Sequence, residues 1–134
     1  MPILNVTLST EPDAALSERV AGELLRLTGD ILHKAPALTS IAIHYVPAAH
    51  WHVGGSSLAR QQKNSFFLDI KITDETNTAT EKAAYIAAVF ARMREVIGEL
   101  HEVSYVHIDD ARAAAWGYGG LTQQYRAVRK VIEQ

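Results

Sequence analysis

A chain of 134 residues is long enough for one domain around one main core. With 48% hydrophobic residues, 21% charged residues and a net charge of −2, it carries no electrostatic footprint for nucleic acid, and no basic stripe runs along it. Cysteine is absent, which excludes disulfides, thiolate chemistry and Cys-based zinc sites. The longest apolar run, Ala83 to Ala91, is far too short to span a bilayer, so no membrane association is expected. The first residues lack a basic segment followed by an apolar core, so no signal peptide is expected and the cytoplasm is the default location.

The chain opens with an extended stretch, Ile3 to Leu8, in which apolar and polar residues roughly alternate. A helix is predicted from about Asp13 to Lys34, with Leu16, Val20, Leu24, Leu27 and Ile31 forming one apolar stripe. Gly29 weakens it locally, and Ala35-Pro36 should end it. A second strand follows over Thr39–Val46, and a glycine turn at Gly54-Gly55 closes the unit.

The same order then repeats. Phe66–Thr73 reads as a strand, and Thr78-Ala79-Thr80-Glu81 reads as a capping box that satisfies free N–H groups at a helix start. Ile86, Val89, Phe90, Met93, Val96, Ile97 and Leu100 form the next buried stripe. Val103–Asp109 is the returning strand, and Trp116-Gly117-Tyr118-Gly119-Gly120 is the closing turn. His44 and His107 lie 63 positions apart, and Trp51 and Trp116 lie 65 apart, each tryptophan followed by a double glycine. Any two β-α-β units share generic periodicities, but the paired tryptophans and glycines favour a duplication. The chain is thus a single domain, with one repeat over about 1–57, a second over about 64–121, and a C-terminal tail over 122–134.

Two β-α-β units, each with parallel strands and a right-handed crossover, predict an α/β (α+β) fold. Its four-stranded mixed sheet would carry two helices on one face. The other face would hold Asn5, Thr7, Ala42, His44, Asp69, Lys71, Tyr105 and His107. Such sheets are rarely left bare, and too little chain remains to cover this face, so self-association is expected.

Several motifs, taken in order, resemble the tautomerase superfamily over most of the chain. Met1-Pro2-Ile3 matches the family start, in which proline becomes the first residue. Ile41 to Pro47, followed by Gly54-Gly55-Ser56-Ser57, is similar to macrophage migration inhibitory factor. Ala35 to Ser40 and Trp116 to Gly120 are similar to segments of 4-oxalocrotonate tautomerase. The resemblance implies a homotrimer and a cofactor-independent isomerase that moves a proton between keto and enol forms of a small unsaturated 2-oxo or 2-hydroxy acid.

Such a reaction needs a base poised near neutral pH and a group that holds charge on the enolate oxygen. A free N-terminal amine, with an ordinary pKa of roughly 7.7–8, meets the first need once Met1 is removed, and burial or nearby cations would lower it further. With Met1 attached, the Pro2 nitrogen is an amide and cannot accept a proton. The resemblance extends the catalytic set from Pro2 to Tyr105, which falls at a substrate-binding position, and to His107, which shares its strand face and can donate to a substrate oxygen. Lys34 and Lys71 are the candidate cations for a substrate carboxylate, and Trp116 falls where the family has a pocket aromatic.

One departure bears on substrate. Where 4-oxalocrotonate tautomerase has an arginine before its first helix, this chain has Glu11-Pro12-Asp13, with Asp74-Glu75-Thr76 at the matching place in the second unit. Acidic residues would repel a dicarboxylate, so a monocarboxylate or an uncharged substrate is expected. Arginine pairs typical of the superfamily's dehalogenases and decarboxylases are not evident, although hydratase, decarboxylase and dehalogenase chemistry remain alternatives. So does a non-catalytic binding or signalling role on the same trimer scaffold. His50 and His52 would share one strand face, but no carboxylate or cysteine at ligand spacing accompanies them, and no metal is expected.

Overall fold

The computed structural model describes residues 2–133. Strand β1 (Ile3–Leu8), helix α1 (Ala14–Leu32) and strand β2 (Ser40–Tyr45) make the first unit. A hairpin of β3 (His52–Val53) and β4 (Ser56–Ser57) and a short helix α2 (Leu58–Gln61) follow. The second unit is β5 (Phe66–Thr73), α3 (Ala79–Ile97) and β6 (Tyr105–Ala111), followed by hairpin β7 (Gly117–Tyr118) and β8 (Leu121–Thr122), and helix α4 (Gln123–Glu133).

The four long strands form one mixed sheet in the order β2-β1-β5-β6. Each unit pairs its own strands in parallel, and β1 and β5 join the units antiparallel. Alternation along the strands then decides the faces. Leu4, Val6, Leu8, Leu68, Ile70 and Ile72 point to the helix side and are fully buried there against Val20, Leu24, Val89 and Met93. The opposite face presents the mixed set expected from the sequence, with Ile3, Phe67 and Tyr105 exposed upon it. The duplication extends to single bonds. Leu58 N–H donates to the Trp51 carbonyl (2.8 Å) and Gln123 N–H donates to the Trp116 carbonyl (2.9 Å), seven residues on in both units.

The helix starts follow their caps. Asp13 Oδ1 accepts from the N–H groups of Ala15 and Leu16, and the capping box of Thr78 and Glu81 is complete. Helix α1 ends two residues before the expected Lys34, because His33 adopts a left-handed conformation (φ 59°) and its N–H returns to the Thr28 carbonyl. The helices meet through a buried pair, Thr28 Oγ1 and Tyr85 OH, 2.8 Å apart. Arg92 adds a two-pronged bond to Glu23, which holds that carboxyl down at a pKa of about 2.

Two expectations are corrected, and the C-terminal stretch gains structure. Ile86 is exposed rather than buried, because Tyr85 takes the core position and brings its hydroxyl to Thr28. The last strand is shifted by two residues, to Tyr105–Ala111. Residues 101–104 form a tight turn instead, in which Val103 N–H donates to His101 Nδ1 and Ser104 Oγ donates to the His101 carbonyl. The C-terminal tail is largely helical. Thr122 Oγ1 accepts from Tyr125 N–H and α4 runs from Gln123, with Val128, Val131 and Ile132 exposed. Among the described residues, no helix is long and apolar enough to cross a membrane.

Two outcomes follow from this packing. Tyr85→Phe should lower unfolding stability by about 1–2 kcal/mol, because the Thr28 hydroxyl loses its partner out of reach of water. Adding Thr28→Val should recover part of the loss, since no polar atom is then stranded. Denaturant titration of the four proteins in that cycle measures the coupling. Gly117→Ala should open the C-terminal hairpin, because an added Cβ would run into the Leu121 carbonyl and the Thr122 backbone. A drop in the Trp116 fluorescence signature, with the far-ultraviolet spectrum of the main sheet retained, is the expected readout.

Candidate active site

Pro2 is buried at the head of β1, one residue before the central strand pair begins. Proline has no N–H to offer the ladder, so the start of a strand suits it, and its carbonyl still accepts from Ser40 N–H at 3.2 Å. Beside it lies a cleft of about 280 Å³. Pro2 and Ile3 form one wall, Leu38 and Ser40 at the entry to β2 form another, and the C-terminal hairpin closes it with Trp116, Gly117 and Tyr118 above Gln123. The hairpin turns through Gly119 (φ 61°) and Gly120 (φ 81°), the paired positive φ that a two-residue hairpin of this kind requires. This is the hairpin expected of that glycine cluster, and it sets Trp116 against the proline.

The cleft is poor in charge, and Trp116 Nε1 is buried with no hydrogen-bond partner among the described residues. A buried donor without an acceptor carries a desolvation penalty. The expected removal of Met1 lies outside the described residues.

The other predicted residues lie apart from this cleft within one chain. Lys71 pairs in register with Ile3, next to Pro2, but its Nζ is held by Asp69 (3.3 Å) with Asp109 at 4.0 Å. His107 lies opposite Asp69, its Nδ1 3.8 Å from Asp69 Oδ1. Tyr105 is further along β6, opposite Phe67 and four residues from the Asp109 that faces Lys71. At roughly 3.3 Å per residue that is about 13 Å down the sheet. Both Tyr105 and His107 are exposed on the outer face. Lys34 follows α1 and donates from Nζ to Thr76 Oγ1 at 2.8 Å. Burial lowers its pKa, against the opposing fields of Glu81 and Asp110.

The structure adds residues that the sequence reading left out. Leu38, Tyr118 and Gln123 complete the cleft. Arg126, from α4, stacks its guanidinium 3.9 Å from the centre of the Tyr118 ring and donates from Nη2 to the Tyr118 carbonyl at 3.0 Å. The apolar spacing of Tyr125, Val128, Val131 and Ile132 was the available clue to that helix. His50 and His52 do not share a strand. His50 ends a 3-10 turn (Ala48–His50) and His52 opens β3. Among the described residues no group of three His, Asp or Glu side chains is placed to hold a metal ion.

No protein-family model and no curated protein sequence matches the chain. Solved structures do. Native fused 4-OT is similar with a TM-score of 0.80 at 25% identity, over 93% of this chain and 98% of that one. A second fused 4-OT, described as a wild-type asymmetric trimer, has a TM-score of 0.81 at 19% identity, covering 93% and 98%. Macrophage migration inhibitory factor from Toxoplasma gondii has a TM-score of 0.73 at 14% identity, covering 90% and 98%. Together with the duplicated β-α-β units and the proline at the head of the first strand, these likenesses show that the chain has the fold of the tautomerase superfamily.

Proposed function

We propose that this chain is a cofactor-independent tautomerase in which Pro2, freed by loss of Met1, carries a proton between the oxygen and a carbon of a small unsaturated 2-oxo or 2-hydroxy acid. The observation that carries the reading is the burial of Pro2 in the same cleft as Trp116. Once Met1 is gone, the ring nitrogen is a rigid secondary amine in apolar surroundings, where the neutral form is favoured. That amine takes the enol hydroxyl proton of the substrate and returns a proton to carbon. Negative charge gathers on the oxygen as the proton leaves.

Self-association belongs to the same reading. The outer sheet face exposes Ile3, Phe67 and Tyr105, and structurally similar fused 4-OT proteins are trimers. In a homotrimer built on this face, Tyr105 and His107 act on a neighbouring copy's cleft rather than on their own.

Ultraviolet assay of enol–keto conversion on untagged protein, with intact mass confirming loss of Met1, tests the reaction. Pro2→Ala should lower kcat/KM by at least about 100-fold. Activity should rise with pH to a plateau as the amine deprotonates, with a midpoint at or below about 7.7–8. The structurally similar protein Pt0534 has been inactivated by 2-oxo-3-pentynoate. The same reagent should label the processed chain once, at Pro2, and leave the Met1-retaining form unlabelled. Equal turnover by Pro2→Ala, or labelling elsewhere, removes the proline mechanism.

A further inference from the structure

Gln123, the first residue of α4, is only 7% exposed, and it lines both the Pro2 cleft and an adjoining cavity of about 360 Å³. Its backbone N–H is used locally, donating to the Trp116 carbonyl at 2.9 Å. Its carboxamide makes no hydrogen bond among the described residues. Nor is that amide sealed from solvent in the way that Trp116 Nε1 is. The accessible remnant of this buried side chain is therefore its amide, and the cavities are what it opens on.

The fold does not require a polar residue there. Leu58 stands at the same point of the first unit, where its N–H makes the matching bond to the Trp51 carbonyl at 2.8 Å. It starts α2 and is fully buried. An apolar side chain thus serves this position, whereas an amide loses hydration that only a partner in the cavity would replace. Of the other polar side chains on the Pro2 cleft, Ser40 and Tyr118 are exposed and Trp116 Nε1 is sealed. Gln123 alone on this cleft is both largely desolvated and open to a ligand, which is where a fixed donor acts most strongly on charge. An amide also carries N–H donors that do not titrate, so it does not compete with an amine for the proton in transit.

We propose that Gln123 is a catalytic residue of the Pro2 cleft, its carboxamide N–H donating to the oxygen on C2 of the substrate. That role rests on the Pro2 reading given above. The proton passes from the enol oxygen to the Pro2 nitrogen and from there to carbon, while Gln123 keeps its own protons and holds the oxygen as its charge grows.

The test compares binding of 2-hydroxypentanoate and 2-methylpentanoate, which share chain and carboxylate and differ by a hydroxyl in place of a methyl at C2. Neither reacts with an amine, so calorimetric titration reads affinity without turnover. Wild-type protein with Met1 removed should prefer the hydroxy acid at least about fivefold. Gln123→Leu and Gln123→Met should reverse that preference, because an apolar cleft favours the methyl, and their melting temperatures should be unchanged or raised. Pro2→Ala should keep the preference. With an enol substrate, Gln123→Leu should lower kcat about 10- to 100-fold, change KM less, and leave the pH midpoint of activity in place. A Gln123-dependent preference in a wild-type protein that turns nothing over removes the proline mechanism and leaves Gln123 as the group that binds the C2 oxygen. No preference for the hydroxy acid in wild type, a preference that survives both Gln123 variants, or a loss that comes with lowered melting temperature in both overturns the proposal.

Discussion

The antiparallel pairing of β1 with β5 is the constraint on which the rest of the molecule depends. Its register sets Leu4 against Ile70, Val6 against Leu68 and Leu8 against Phe66, and all six side chains are buried. A slip of one residue would turn every one of them to the outer face, so the hydrophobic core and the register specify each other. The same pairing fixes where Pro2 lies. Because β1 is an inner strand, the residue before it starts inside the protein and not at a frayed edge. Pro2 is therefore buried by topology, and the C-terminal hairpin needs only to cover it.

One face of this sheet is closed by α1 and α3, while the other is left open. The open face is not polar enough to be a plain solvent surface. Rows of Ile3, Phe67 and Tyr105 interleave with a charge cluster of Lys71, Asp69, Asp109 and His107. That cluster is internally compensated, since Lys71 sits between two carboxylates. A face with neutralised charge and exposed aromatics suits contact with another copy far better than capture of an anion.

Most of the fold was legible in the sequence, because burial on one face imposes period 2 on the strands and period 3.6 on the helices. Polar local bonds blurred the rest. His33 in a left-handed cap shortened α1, and the His101–Ser104 turn delayed β6, through hydrogen bonds that leave no trace in hydrophobic spacing. Tyr85 entered the core in place of Ile86 because Thr28, on another helix, offers its hydroxyl a partner. A long-range pair of that kind cannot be read from either segment alone. At the candidate site, Pro2 and Trp116 were named from a family resemblance, and they share a cleft. Arg126 was missed because the stretch after Leu121 was read as a tail, although its apolar spacing is helical.

The two β-α-β units share one plan, but their equivalent ends differ. The bond from Ser40 N–H to the Pro2 carbonyl has a counterpart in the bond from His101 N–H to the Asn64 carbonyl at 2.8 Å. Asn64 thus occupies in the second unit the place that Pro2 holds in the first. It is an internal residue whose own N–H donates to the Glu99 carbonyl, and its side chain is spent on Ser9 and the end of α3. No processing step can free a basic nitrogen there. The hairpins have diverged in the same sense. After Trp51 the residue at the helix start is Leu58, fully buried, whereas after Trp116 it is Gln123, which lines both cavities. The helix after the first hairpin starts with core packing and is short, whereas the helix after the second starts with a polar residue and is longer. The asymmetry between two copies of one motif therefore points to the same end of the molecule as the buried proline does.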